Sequence, residues 1–272
     1  MSPDRDPLPE LLQRLHARAT WDDLVLPEAV TRQLRAIAQQ SRRRKRVTER
    51  SSNQAFPGRP PGLRALFSGP SGTGKTMAAE VLAAALHFDL FRVDLTAVVS
   101  TYIGETEKNL RRLFDAADAP DVILLFDEAH ALFGSRSEVK DSHDRYANLE
   151  VDYLLERLEQ FKGVTILTTN RRSALDPAFV RRLHHVIEFP LPDAAARELI
   201  WQRTFPPDLG RHDLDFGQLA KLELSGGAIR DIALRATQQA SATGGPVTMP
   251  HVLDSTEAEL RKQRRPNSTG GE

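Results

Sequence analysis

Apolar positions along this chain follow two rhythms, and the change from one to the other divides it. Short, mostly apolar runs occur at Leu63 to Ser68, Phe88 to Val93, Val122 to Phe126, Val164 to Thr168 and Val186 to Phe189. Runs of that length between polar turns predict strands, and Val122-Ile123-Leu124-Leu125-Phe126, with no polar position, predicts a central strand covered on both faces. Between the runs, apolar residues recur every three to four positions. Val30, Leu34, Ile37 and Ala38 fall on one helical face behind Pro27, and Leu110, Leu113 and Phe114 mark a helix over 104–117. Val151, Leu154, Leu155 and Leu158 mark another over 146–160, and an Ala-rich helix is predicted over 75–86. Strands alternating with helices predict an α/β fold with a parallel sheet.

At Pro190-Leu191-Pro192-Asp193 the strand rhythm stops. Beyond it the chain predicts helices only: over 194–204, over 215–221, along a face carrying Ile229, Ile232, Ala233 and Ala236, and over 248–261. The pattern therefore predicts an α/β domain over 20–192, a helical subdomain over 193–264 and a disordered tail over 265–272. The first 19 residues form an N-terminal extension. Prolines stand at 3, 7 and 9, and Leu11, Leu12 and Leu15 predict a short amphipathic helix. Arg42 to Arg46 is an unbroken basic run, read as a solvated helix end where cations favour the C-terminal dipole.

Composition narrows the function classes. With 37 basic and 37 acidic residues the chain carries no net charge, so no global field recruits nucleic acid or an anionic membrane. There are no cysteines and no apolar stretch approaching 18 residues, which removes disulfides, thiolate zinc sites and a spanning helix. The chain is expected to be soluble and cytoplasmic. A length of 272 residues accommodates one nucleotide-binding domain and a smaller partner, not two motor domains.

The chemistry concentrates around Gly69-Pro70-Ser71-Gly72-Thr73-Gly74-Lys75-Thr76, directly after the first predicted strand of the α/β domain. A strand, a glycine loop and a helix beginning at a lysine form a P-loop: backbone N–H groups wrap phosphate oxygens, Lys75 reaches the β- and γ-phosphates, and the Thr76 hydroxyl can ligate Mg²⁺. Asp127 and Glu128 come immediately after the all-apolar strand. There Asp127 can hold the Mg²⁺ water shell and Glu128 can polarise an attacking water, so hydrolysis is the natural outcome. Asn170 closes the next strand, where its amide can orient that water or touch the γ-phosphate. Arg181 and Arg182 lie just past Leu175-Asp176-Pro177; an arginine supplied across a subunit boundary there would stabilise transition-state charge.

These residues resemble the AAA+ ATPases, in the AAA branch that carries a second region of homology. The resemblance runs over about residues 20 to 262. It implies a P-loop α/β core with a small helical lid, ATP with Mg²⁺ bound between subunits, and a homo-oligomeric ring, usually a hexamer. Asn170 would be the sensor-1 residue, and Arg181 with Arg182 the arginine fingers. The family commonly reads R-P-G-R in the finger segment. Here the two arginines are adjacent, which leaves open which one reaches the neighbour. Arg230, in Gly226-Gly227-Ala228-Ile229-Arg230, resembles the sensor-2 arginine of other AAA+ clades. Tyr102 and Ile103 resemble the first pore loop of protein-threading members, and residues 134 to 145 would hold a second. The single-module layout is similar to bacterial ATPases that accompany phage-tail-like contractile injection systems.

The leading expectation is an ATP-hydrolysing ring that remodels or threads protein, acting on a protein substrate or through an adaptor. Two alternatives stand beside it: a nucleic-acid-dependent ATPase, prompted by the basic run and by the letters D-E-A-H at Asp127 to His130, and a nucleotide-gated assembly scaffold.

Overall fold

A computed structural model describes residues 11–50, 62–95, 105–130, 153–205 and 213–264. Two compact units emerge: one of residues 1–70 and 75–189, the other of residues 190–272 together with the four residues Ser71–Gly74.

The first unit is built on a six-stranded sheet: β1 (Leu12–Leu15), β2 (Leu63–Ser68), β3 (Asp89–Val93), β4 (Val122–Phe126), β5 (Val164–Thr169) and β6 (His185–Glu188), in the order β1-β3-β4-β5-β2-β6. All neighbours are parallel except β1, which runs antiparallel along the outer edge of β3. The helices that cross between strands are α1 (Glu28–Arg50), α2 (Lys75–Leu86), α3 (Glu105–Ala116), α4 over 153–160 and the single turn α5 (Pro177–Val180).

The alternation of side chains explains why both faces are apolar. On β4, Leu124 and Phe126 join Leu110, Leu113 and Phe114 of α3 and Leu154, Leu155 and Leu158 of α4. Ile123 and Leu125 point the other way, toward Leu34 and Ile37 of α1 and Val81 and Leu82 of α2. Every residue of β4 and of β5 is buried, as a parallel sheet covered by helices on both faces requires.

The N-terminal extension departs from expectation. Residues 12–15 form a strand, not an amphipathic helix. The three-residue spacing of Leu12 and Leu15, which would share a helix face, puts them on opposite faces of a strand. Leu12 enters the core under α3 and α4, and Leu15 packs against the core under α1 and α2. An isolated helix of one turn has no such return, whereas the free edge of β3 offers backbone partners: Leu12 pairs with Val93 and Leu15 with Leu90, and Arg14 adds an ion pair of 2.6 Å to Asp89.

The second unit is helical: α6 (Ala194–Thr204), α7 (Phe216–Leu219), α8 (Gly226–Thr243) and α9 (Met249–Arg264). Its core is Trp201, Phe205, Leu219, Ile229, Ile232, Ala236 and Val252, with the rings of Trp201 and Phe205 stacked at 6.1 Å. Local chemistry starts each of the first three helices. Asp193 accepts from the Ala196 N–H at 2.8 Å, Asp215 from Gln218 at 2.8 Å and Ser225 from Ala228 at 3.2 Å, each such cap contributing about 1 kcal/mol. No helix among the described residues is long and apolar enough to cross a membrane.

Candidate active site

Strand order decides what can meet. β2 and β4 flank β5, and all three run parallel, so the residues that leave their C-terminal ends emerge side by side: Gly69 after β2, Asp127 after β4 and Asn170 after β5. In open α/β sheets that end of the strands is where ligands bind.

At Gly69 the backbone turns with φ +145°, and a Cβ there would sit 2.1 Å from the Phe189 carbonyl oxygen, so only glycine lets the chain leave β2 against β6. Lys75 opens α2, and its ammonium donates to the carbonyl oxygens of Gly69 and Pro70, both at 2.8 Å. Burial lowers the Lys75 pKa, while the carboxylates of Glu128 and then Asp127 oppose that shift. A half-buried ammonium satisfied by two carbonyls and facing two carboxylates is poised for polyphosphate oxygens, which would replace weak neutral acceptors with charged ones. Thr76 is the next residue of the helix start.

The crown of the loop belongs to the helical unit. The Gly227 N–H at the start of α8 donates to the Gly72 carbonyl at 2.8 Å, and a Cβ on Gly227 would lie 2.9 Å from the Gly72 Cα. Arg230 lies three residues along α8 from Gly227 and therefore on the same helical face, with its side chain exposed. Gly227 was not legible as a site residue. Its signal is only a glycine pair at a predicted helix start, which local structure normally explains as a cap.

Asp127 is held from two sides. The Thr168 hydroxyl donates to its Oδ1, and the Arg92 guanidinium of β3 pairs with its Oδ2 at 2.9 Å. Thr168 also accepts the Glu128 N–H at 3.3 Å, and its carbonyl accepts the Ala129 N–H at 2.8 Å, so one threonine on β5 fixes the whole turn after β4. Glu128 takes a left-handed backbone, φ +55°, an uncommon conformation for a residue with a Cβ. Its carboxylate is about half exposed and lies 3.2 Å from His130 Nδ1, which also meets the Thr169 hydroxyl at 3.3 Å. Asn170 is exposed just beyond β5. Thr168 and Arg92 were not legible as site residues either, because each meets Asp127 from another strand, which only the register reveals; His130 meets Glu128 within the turn itself.

Thr76 and Asp127 offer one hydroxyl and one carboxylate. Among the described residues no three acidic, histidine or cysteine side chains cluster into a cation cage. That donor set fits Mg²⁺, which characteristically takes one or two protein oxygens and completes its shell with phosphate and water.

The two finger candidates lie elsewhere in the first unit. Arg181 caps α5, and the segment then enters β6, which starts opposite Ala65 near the beginning of β2. Arg181 and Arg182 are therefore at the N-terminal edge of the strands, while Gly69, Asp127 and Asn170 are at the C-terminal edge. Five residues of β2, about 16 Å, separate the two levels. Arg182 pairs with Glu159 at 3.3 Å; Arg181 is exposed and has no side-chain partner among the described residues. Tyr102, Ile103 and residues 134 to 145 lie outside the described residues.

Residues 65–191 match the family model described as "ATPase family associated with various cellular activities (AAA)". The chain is 33% identical over 193 residues to a protein named uncharacterized AAA family ATPase y4kL from Sinorhizobium fredii, covering 70% of this chain and 56% of that protein. It is 34% identical over 165 residues to 26S proteasome regulatory subunit 10B of Dictyostelium discoideum, covering 58% of this chain and 42% of the subunit. Identity is 33% over 181 residues to 26S proteasome regulatory subunit S10B homolog B of Arabidopsis thaliana, covering 63% and 45%. The chain thus spans about half the length of the curated relatives it matches.

Proposed function

We propose that this chain, which carries an AAA-family ATPase domain over residues 65–191, hydrolyses ATP in a ring of its own copies and uses the turnover to remodel or thread protein. The observation that carries the reading is the split between the two edges of one sheet. The C-terminal edge gathers Lys75, Asp127, Glu128 and Asn170; the N-terminal edge carries an exposed Arg181 too far away to serve the same site. A complete hydrolytic set then needs a second copy of the chain.

In this reading the loop from Gly69 to Thr76 cradles the phosphates and Lys75 exchanges its two carbonyl acceptors for phosphate oxygens. Thr76 and Asp127 would hold Mg²⁺, which supplies charge neutralisation on the phosphates undergoing cleavage. Glu128 accepts a proton from the attacking water, and His130, 3.2 Å away, and the Thr168 bond to the Glu128 N–H orient that carboxylate. Asn170 positions the water. Arg181 of a neighbouring copy faces the developing charge, and Arg182 is the anchored member of the pair, engaged by Glu159. Arg230 would contact the nucleotide from α8, on the face that meets the loop at Gly72.

Protein as substrate is supported by likeness to the two proteasome regulatory subunits, and Tyr102 with Ile103 would grip it. The basic run lends the nucleic-acid alternative little: Arg42 donates to the Ala85 carbonyl at 2.5 Å and Lys45 pairs with Asp121 at 2.8 Å, so both serve the fold. The test is ATP hydrolysis and substrate unfolding by the purified chain, with Tyr102→Ala beside it. Retained hydrolysis with lost unfolding supports the threading reading; loss of both, or stimulation by DNA or RNA instead of by unfolded protein, defeats it.

A further inference from the structure

The short segment from Arg181 into β6 is bound to the first turn of the sheet more closely than strand pairing requires. Arg64, the second residue of β2, makes three hydrogen bonds to it. The His184 N–H donates to the Arg64 carbonyl at 2.9 Å, the Arg64 N–H donates to His184 Nδ1 at 3.1 Å, and Arg64 Nε donates to the Arg182 carbonyl at 3.3 Å. The middle bond is unusual, because a side-chain nitrogen takes the place of a backbone carbonyl in the ladder. It requires His184 Nδ1 to be unprotonated, with the ring proton on Nε2.

The surroundings keep it that way. Partial burial, then the guanidiniums of Arg64 on β2 and Arg44 on α1, then His185 on β6, lower the His184 pKa from 6.5 to about 4. Next to it His185 is also held neutral-leaning by burial and Arg44, and its Nε2 meets the Gln40 amide oxygen of α1 at 2.7 Å. Arg64 itself is drawn inward at a cost. Burial lowers its pKa against the attraction of Glu159, and its Nη1 is buried with no hydrogen-bond partner among the described residues. A guanidinium kept there while one nitrogen goes unmatched is held by what its Nε and backbone do.

We propose that Arg64 and His184 are positioning residues for the trans-acting arginine: together they fix the backbone of residues 182–184, so that Arg181 projects from the N-terminal edge of the sheet in one fixed direction. The inference rests on the reading of Arg181 as the residue that serves a neighbour. Adjacent arginines with no intervening Pro-Gly leave a short tether, and the clamp supplies the rigidity. Arg64 and His184 touch no nucleotide in their own copy, so their loss acts on the neighbouring site.

The test measures steady-state ATP hydrolysis by the full chain carrying Arg64→Met, alone and co-assembled with Glu128→Gln subunits. Those subunits have an inactive site but a native clamp and Arg181. Alone, Arg64→Met is expected to lower kcat about ten- to a hundredfold with the KM for ATP changed less than about twofold, as misplacement of a transition-state group predicts. In mixed assemblies each Arg64→Met site can border a native Arg181, and the rate per active site should recover toward that of wild type mixed in the same ratio. On the half-exposed position 184, His184→Asn keeps an acceptor and should retain activity, whereas His184→Leu should fall with Arg64→Met. Wild-type activity in Arg64→Met and His184→Leu beside an inactive Arg181→Ala overturns the clamp. Loss without recovery on mixing also overturns it, because the defect then lies in the variant's own site or fold. Full activity in Arg181→Ala sinks the trans-arginine reading beneath it.

Discussion

The two edges of the central sheet are built by opposite means. At the C-terminal edge, side chains are delivered by strands that end together. Gly69, Asp127 and Asn170 owe their proximity to the order β4-β5-β2, and the site's rigidity comes from one threonine, Thr168, bonded to Asp127 and to the Glu128 backbone. At the N-terminal edge the functional candidate, Arg181, has no side-chain partner among the described residues, and rigidity comes from a backbone clamp one to three residues away. In the proposed function the difference reflects what each edge would have to do. A site that holds its own ligand can lock its side chains against each other. A residue that must reach another molecule has to stay unengaged, so order is imposed on the chain behind it.

Removing the exposed arginine should cost the most. Arg181→Ala should lower kcat by about 10³-fold while nucleotide affinity changes little, and co-assembly with Glu128→Gln should restore hydrolysis. If Arg181→Ala instead abolishes nucleotide binding by the isolated subunit, the two edges are not functionally separate. Glu128→Gln comes next, with a loss of about 10²-fold or more, since a general base contributes that much and the amide cannot take a proton. Bound ATP should persist in that variant, measured by nucleotide retention after gel filtration. Unlike Arg181→Ala, it should not be rescued at its own site by any neighbour.

His184 gives a smaller effect with a defined sign. Its folded-state pKa of about 4 lies below the unfolded value near 6.5, so the neutral form is the one the fold favours. Above pH 6.5 both states leave it unprotonated and its contribution is complete. As pH falls from 6.5 toward 4 the unfolded chain binds a proton that the folded chain refuses, and stability is lost across that window. Thermal melts of wild type and His184→Asn over pH 7 to 4 separate this from the carboxylates, which titrate alike in both. The wild-type Tm should drop more, by a few degrees at most because solvent screens an exposed ring. Parallel curves would show that His184 gains its proton in the folded state as easily as in the unfolded one.

How much of this was legible without coordinates differs along the same line. Among the described residues the five parallel strands could be read from their apolar runs, which are buried on both faces at β4 and β5, and the helices from their three-to-four repeat. Gly69 to Thr76, Asp127, Glu128 and Asn170 stand out as candidates because they follow apolar runs, and parallel strands bring such positions to one edge whatever their separation in the chain. Residues that act across the sheet could not. By residue type Thr168 is a β-branched strand residue, and Arg92 and Arg64 are charged positions within strands. Their roles depend on register, Phe126 beside Leu167 and Ala65 beside His185, and a single sequence carries no signal for register between distant strands. Leu12 and Leu15 misled for a related reason: their spacing suits a helix face in isolation, and only a sheet with two apolar faces makes the strand the better solution.

The smallest expected effect separates the adjacent arginines most sharply. Arg182 and Arg181 differ by one position, yet Arg182 meets Glu159 at 3.3 Å, with both side chains about half exposed. A pair so open to solvent is worth about 0–1 kcal/mol, because water screens the attraction and two long side chains lose freedom to make it. Arg182→Ala should therefore shift stability by no more than about 1 kcal/mol. Its carbonyl, which survives the substitution, would still accept from Arg64 Nε, leaving the clamp in place. Hydrolysis should stay within a few-fold of wild type, and adding about 0.5 M salt should weaken the wild-type pair and narrow even that gap. A loss in Arg182→Ala comparable to that of Arg181→Ala would mean that the Glu159 contact opens on assembly and that both guanidiniums face the neighbouring site. The exchange Glu159→Gln decides between these. It releases Arg182 without removing it, so it should leave a silent Arg182 silent and raise activity if Arg182 is held back from the neighbour.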